Sequence, residues 1–138
     1  MRFGITVLTL GVRDLERSVR FYRDGLGLRT DGIVGKEFEH GAVAFFDVHP
    51  GLKLAAWPLD SIAHDTGRQV PGAHSGSITI GFNVAAKGDV DRAFAQAMDH
   101  GAMSIKPPAD TFYGGYAGYF ADIDGHVWEV VFNPDFAA

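Results

Sequence analysis

The spacing of apolar residues changes twice along the chain, in the same order in each half. Residues 5–12, "ITVLTLGV", read as a strand. In the stretch that follows, Leu15, Val19 and Tyr22 recur at helical spacing. Asp14 can cap that helix, Glu16 suits its first turn, and Gly25 and Gly27 end it. From Ser77 the pattern repeats: a strand, a turn, then Val90, Phe94, Ala97 and Met98 on one helical face, with Gly101 as the stop. "LGV" (10–12) sits against "FNV" (82–84). The remainders of the halves also correspond. Residues 41–58 read as strand, Pro50-Gly51 turn and strand, ending at Pro58. Residues 115–134 read as strand, Asp124-Gly125 turn and strand, ending at Asn133-Pro134. Each half is predicted to be β-α-β-β-β.

This repeat predicts a module over 1–58, a polar, Gly/Pro-bearing linker over 59–76, and a second module over 77–138. Two sheets that each have one uncovered face would bury those faces around a common cavity. The expected fold is therefore α+β, with two βαβββ modules forming curved mixed sheets around a shared cleft and the helices outside. Composition narrows the function. Hydrophobic residues make up 46% of the chain, enough for a core, and no apolar run reaches the ~18 residues needed to span a bilayer. The start, "MRFGITVLTL", lacks signal-peptide features, so a cytoplasmic protein is expected. A net charge of −5 argues against nucleic-acid binding. The absence of cysteine excludes disulfides, thiol nucleophiles and sulfur-ligated metals. The 18 glycines and 12% aromatic content fit short strands, tight turns and a ring-lined cavity.

The opening "LTLGVRDLERSVRFYRDGLGL", the ending "GGYAGYFADIDGHVWEVVFNP" and the repeat between them resemble the vicinal oxygen chelate superfamily. This is the glyoxalase, bleomycin-resistance and dioxygenase group, and the resemblance covers nearly the whole chain. It implies the fold more firmly than any reaction, because the superfamily spans isomerases, dioxygenases, epimerases, thiol transferases and non-catalytic drug binders. Metal-using members hold one divalent ion with about four ligands, two from each half, on the first and last strand of each. The ion then chelates two adjacent substrate oxygens.

Carried onto this chain, the first-strand positions fall at Val7 and Thr79. Valine cannot bind a metal, and a neutral hydroxyl is a poor ligand for such an ion. The last-strand position of the second half is Glu129, which fits. Its counterpart in the first half is Lys53 if the prolines are matched, or Ala55 if the glycine turns are. One ligand of four does not make a specific site. The expectation is no cofactor, with a divalent metal as the alternative and Glu129 as its one family ligand.

Glu129 has three readings: a metal ligand, a pocket carboxylate, or the solvent face of a strand. The last requires Trp128 to face the core, whereas the resemblance aims Glu129 into the cleft. A pocket carboxylate needs compensation, and Lys53, aimed at the same cleft, is the expected partner. An unpaired, buried Glu129 would instead serve as a catalytic general base. Phe112, Tyr113, Tyr116 and Tyr119, around the loop "YGGYAG" (113–118), together with Trp57 and Thr79, complete the expected pocket lining. The loop lacks the Lys-Ser/Thr that a phosphate-binding loop requires. Among the histidines, His64, His74 and His100 are expected at the surface. His40, His49 and His126 are expected at turns or outer faces, with no metal-ligand spacing among the six.

The functional expectation is a binding module for a small aromatic or amphipathic molecule, acting without the family metal. The alternatives are a metal-dependent glyoxalase-like or dioxygenase reaction, or metal-free proton transfer by Glu129. A homodimer is expected, since many members of the resembled family pair; no nucleic-acid or membrane partner is expected.

Overall fold

The computed structural model describes residues 3–70 and 77–136. The chain divides into two compact units with the boundary between residues 72 and 73. Both are α+β, and each carries one four-stranded mixed sheet.

In the first unit, β1 (Val7–Val12) leads into α1 (Leu15–Arg20), which continues as a π-helical turn over Phe21–Gly25. The Asp14 side chain caps α1 by accepting from the Arg17 backbone N–H at 3.1 Å, as its position before the periodic run predicts. Three further strands follow: β2 (Arg29–Val34), β3 (Val43–His49) and β4 (Leu52–Pro58). The sheet order is β1-β4-β3-β2, with β1 and β4 parallel and the other pairs antiparallel. Side chains alternate across the sheet. Leu10, Val12, Ala44, Phe46, Leu54 and Ala56 point to the α1 side and are buried there with Val19, Phe21 and Tyr22. The Tyr22 ring lies 5.1 Å from Phe21 and 5.5 Å from Phe46.

Residues 59–66, expected to belong to a polar linker, form instead a helix, α2 (Leu59–Thr66). The residues that read as linker punctuation are its terminators. Pro58 precedes it, and Gly67 ends it at φ 71 with its N–H bonded to the Ala63 carbonyl at 2.9 Å. Leu59 and Ile62 dock on β1 where Gly11 has no side chain: a Cβ there would lie 2.6 Å from Leu59 Cδ2 and 3.2 Å from Ile62 Cδ1.

The second unit repeats the plan with β5 (Thr79–Asn83), α3 (Lys87–Asp99), β6 (Met103–Asp110), β7 (Tyr116–Ala121) and β8 (Val127–Phe132). Its sheet order is β5-β8-β7-β6, with β5 and β8 parallel. Val90, Phe94 and Ala97 of α3 are buried, with Met98 at their edge, as the periodicity predicts. They cover Phe120, Trp128 and Val130, and the Phe94 ring meets Phe120 edge-on at 6.1 Å. Gly118 permits this approach, since a Cβ there would lie 3.1 Å from both Phe94 and Pro108. The hairpin turn is fixed by Asp122, whose Oδ1 accepts from the backbone N–H groups of Asp124 (2.9 Å) and His126 (2.8 Å). His126 is thus a turn residue, as expected.

Candidate functional site

The β8 register settles where Glu129 stands. Trp128 is buried on the α3 side, edge-on to Phe82 at 6.3 Å. Glu129, one residue on, points to the opposite, helix-free face. It does not project into bulk solvent. It is half-buried and lines a concavity of about 240 Å³ together with Lys106, Asp110, Thr111, Phe112, Tyr113 and Tyr119, among others.

Across the sheet a single row runs Gly81, Glu129, Tyr119, Lys106, each residue directly opposite the next. Each member has a role. Gly81 leaves room for the carboxylate, since a Cβ there would sit 3.5 Å from Glu129 Oε1. The Tyr119 phenol faces the Glu129 carboxylate across the β7–β8 pair. Burial first, and then the neighbouring Glu129 carboxylate, raise the phenol above its ordinary pKa. Lys106 makes no ion pair among the described residues, which leaves an ammonium at the rim of the concavity. Asp110, by contrast, is held by Lys87 at 3.0 Å.

The loop beside this row is closed by its own hydrogen bonds. The Thr111 hydroxyl accepts from the Gly115 N–H at 2.9 Å, and the Thr111 N–H donates to the Gly115 carbonyl at 3.1 Å. Gly114, at φ 85, makes the turn possible. The turn holds Phe112 fully exposed and sets Tyr113 edge-on to it at 5.2 Å. Phe112 thus presents exposed apolar surface at the lip of the concavity.

Of the eight candidate pocket residues, Phe112, Tyr113, Tyr119 and Glu129 meet in this concavity. Thr79 shares the Glu129 face but pairs with Val127, one pleat away. Tyr116 lies on the other face, where its hydroxyl donates to Asp91 of α3 at 2.8 Å. That bond is the main reason its ionisation is shifted upward. Lys53 and Trp57 belong to the first unit. Lys53 donates to Asp47 Oδ1 at 2.6 Å, and Arg29 reaches Oδ2 at 2.8 Å. The Trp57 indole N–H donates to the His40 carbonyl at 3.1 Å. Lys53, expected to pair with Glu129, is thus held by Asp47 within its own unit. Larger concavities, of about 530 and 350 Å³, flank the Asp47–Lys53 pair. Their charged groups are taken up by one another, so the Glu129 concavity is the better candidate.

The donor set does not fit the family metal. Val7 pairs with Lys53, and Thr79 pairs with Val127, so Lys53 and Val127 are equivalent positions. The counterpart of Glu129 is then Ala55, as the glycine-turn alignment has it. A valine, an alanine and a threonine hydroxyl offer no ligand set to accompany one carboxylate.

Sequence reasoning missed one cluster. Glu39, His40 and His64 each bring a ligand atom within 4.8 Å of the others. Their separation along the chain carries no spacing signal, and α2, which presents His64, has the polar, Pro- and Gly-bounded composition of a linker. His74 lies outside the described residues.

The comparisons agree with this architecture. A solved glyoxalase-related enzyme from Fulvimarina pelagi is 34% identical with a TM-score of 0.83, over 95% of this chain and 88% of that one. A glyoxalase/bleomycin resistance protein/dioxygenase from Nocardioides is 27% identical, TM-score 0.75, over 100% and 91%. A protein of unknown function from Agrobacterium tumefaciens is 30% identical, TM-score 0.70, over 96% and 94%. No curated protein matches. The family model described as Glyoxalase/Bleomycin resistance protein/Dioxygenase superfamily matches residues 4–130. With its repeated βαβββ units and a match spanning nearly its whole length, the chain belongs to the glyoxalase/bleomycin resistance protein/dioxygenase superfamily.

Proposed function

We propose that this protein binds a small aromatic or amphipathic molecule in the Glu129 concavity, without a metal at the family position. The observation that carries this reading is the convergence of Glu129, Tyr119, Phe112 and Tyr113 on one concavity. The rings supply apolar contact area, and the carboxylate and phenol supply orientation. Lys106 adds a cationic contact for an acidic group on the ligand. The chemistry of Val7, Ala55 and Thr79 supports the metal-free form of the reading.

The Tyr119–Glu129 pair also favours a second reading, metal-free proton transfer. Glu129 would take a proton from an acidic C–H, and the Tyr119 hydroxyl would donate to the oxygen that gains charge. A ligand-observed magnetic-resonance screen of small aromatic and amphipathic molecules tests the first reading. At least one binder is expected, with its signal weakened in both Phe112→Ala and Glu129→Gln. Binding unchanged in both variants overturns it. A turnover that survives Glu129→Gln removes the second reading.

A cytoplasmic homodimer completes the proposal. No helix of the described residues is long and apolar enough to cross a membrane. Apolar side chains such as Val7 and Phe45 stand exposed on the face of the first sheet opposite α1, which fits association.

A further inference from the structure

We propose that Glu39, His40 and His64 form a binding site for a divalent transition-metal ion such as Zn²⁺, within the first unit and separate from the family position. The three ligand atoms already lie within 4.8 Å of one another. The His40 and His64 rings stack at 4.3 Å with an angle of 21° between them.

His40 is held at both ends. Its carbonyl accepts from the Trp57 indole N–H at 3.1 Å, and its Nδ1 lies 3.3 Å from the hydroxyl of buried Ser61. The Ser61 contact occupies one ring nitrogen and leaves the other for an ion, the arrangement in which a hydrogen bond behind a ligating histidine fixes its orientation. His40 also sits at φ 54, a conformation costly for a side-chain-bearing residue and the only such case among the described residues. His64 reaches the group from the last turn of α2, and Glu39 from the connection between β2 and β3.

Two imidazoles and a carboxylate suit Zn²⁺, Co²⁺ or Ni²⁺ and not the oxygen-only preference of Ca²⁺ or Mg²⁺. A tetrahedral ion with bonds of about 2.0–2.1 Å needs its ligand atoms roughly 3.3 Å apart. His64 and Glu39 are exposed and free to close that gap by side-chain rotation, while His40 stays fixed. Water would fill the remaining position. The bound ion would tie the β2–β3 connection to α2, joining segments 24 residues apart in sequence.

Titration of chelator-treated protein with CoCl₂, followed by visible absorption and by displacement with ZnCl₂, tests the site. One equivalent per chain is expected. Both His64→Ala and Glu39→Gln, substitutions at exposed positions that leave the core intact, should weaken binding about tenfold or more. Zn²⁺ should raise the melting temperature of the wild type and not of His64→Ala. His40→Asn, which tolerates positive φ, should behave like His64→Ala. The site is overturned by absence of binding at millimolar metal, by wild-type affinity in His64→Ala and His40→Asn, or by loss of binding in Glu129→Gln alone.

Discussion

Tyr119 and Glu129 stand directly opposite each other on β7 and β8, and the Glu129 carboxylate acts on the ionisation of the Tyr119 phenol. A glutamate in an apolar hairpin thus has a partner on the next strand. Burial of the phenol and, after it, the facing Glu129 carboxylate both favour its neutral form, so its folded pKa exceeds the ordinary value of about 10. A group raised in this way contributes stability that is fully present below the unfolded pKa and is lost as pH rises through the folded value. Ultraviolet titration, read as the difference between wild type and Tyr119→Phe, should place this phenol above the ordinary range. In Glu129→Gln it should titrate lower, with the contribution of burial retained. An unchanged titration in Glu129→Gln would break the link between the two residues.

Asp47 behaves oppositely. The Lys53 hydrogen bond first, and then that of Arg29, hold its carboxyl below the usual carboxylate value. Its contribution is present above the unfolded pKa of about 3.9 and lost as pH falls through the lower folded value. Wild type and Asp47→Asn should therefore differ by a constant, small amount at neutral pH, and the difference should shrink in acid. The exposed cluster is also screened by salt. Urea unfolding between pH 2 and 6, at low and high salt, checks both statements.

The α3 interface sets the stability of the second unit. Phe120 is fully buried against Phe94, so Phe120→Ala should cost about 3–5 kcal/mol by opening a cavity. Gly118→Ala should cost roughly 1–3 kcal/mol for the opposite reason, since its methyl would meet Phe94 and Pro108 at 3.1 Å. Denaturant midpoints measure both. If Gly118→Ala is neutral, the helix has more freedom over the sheet than this packing allows.

Much of this architecture was legible in the chain. The helices at Leu15 and Lys87 announced themselves by period, caps and glycine stops. The hairpin strand Val127–Phe132 fell where its alternation and Asp124-Gly125 put it. α2 was not legible. It is eight residues long, and Pro58 and Gly67, which bound it, look the same as linker punctuation. The site was read in part. Alternation along β8 separated Trp128 from Glu129, and the aromatic loop placed Phe112 and Tyr113 near the carboxylate. Tyr116 went to the other face because a three-residue step from Tyr119 reverses the side of a strand. Lys106 carries no such signal, because the β6 register shifts at Ser104/Lys106 and again at Lys106/Ala109, and such shifts change facing without a mark in the sequence.

The homodimer is open to direct measurement. Sedimentation velocity over a wide concentration range should give a species of twice the chain mass of 14.9 kDa. A monomer at the highest concentration would remove that part of the reading.

The central claim is that the Glu129 concavity binds a small molecule without metal, and isothermal titration of chelator-treated protein tests it most directly. Against a panel of small aromatic and amphipathic molecules, acidic ones included, at least one should bind. Its affinity should fall about tenfold or more in Phe112→Ala and Glu129→Gln, a loss of one aromatic contact or one charged hydrogen bond. For an acidic ligand it should fall in Lys106→Ala as well. Failure of every molecule to bind without metal, with turnover appearing when a divalent ion is restored, would contradict the account.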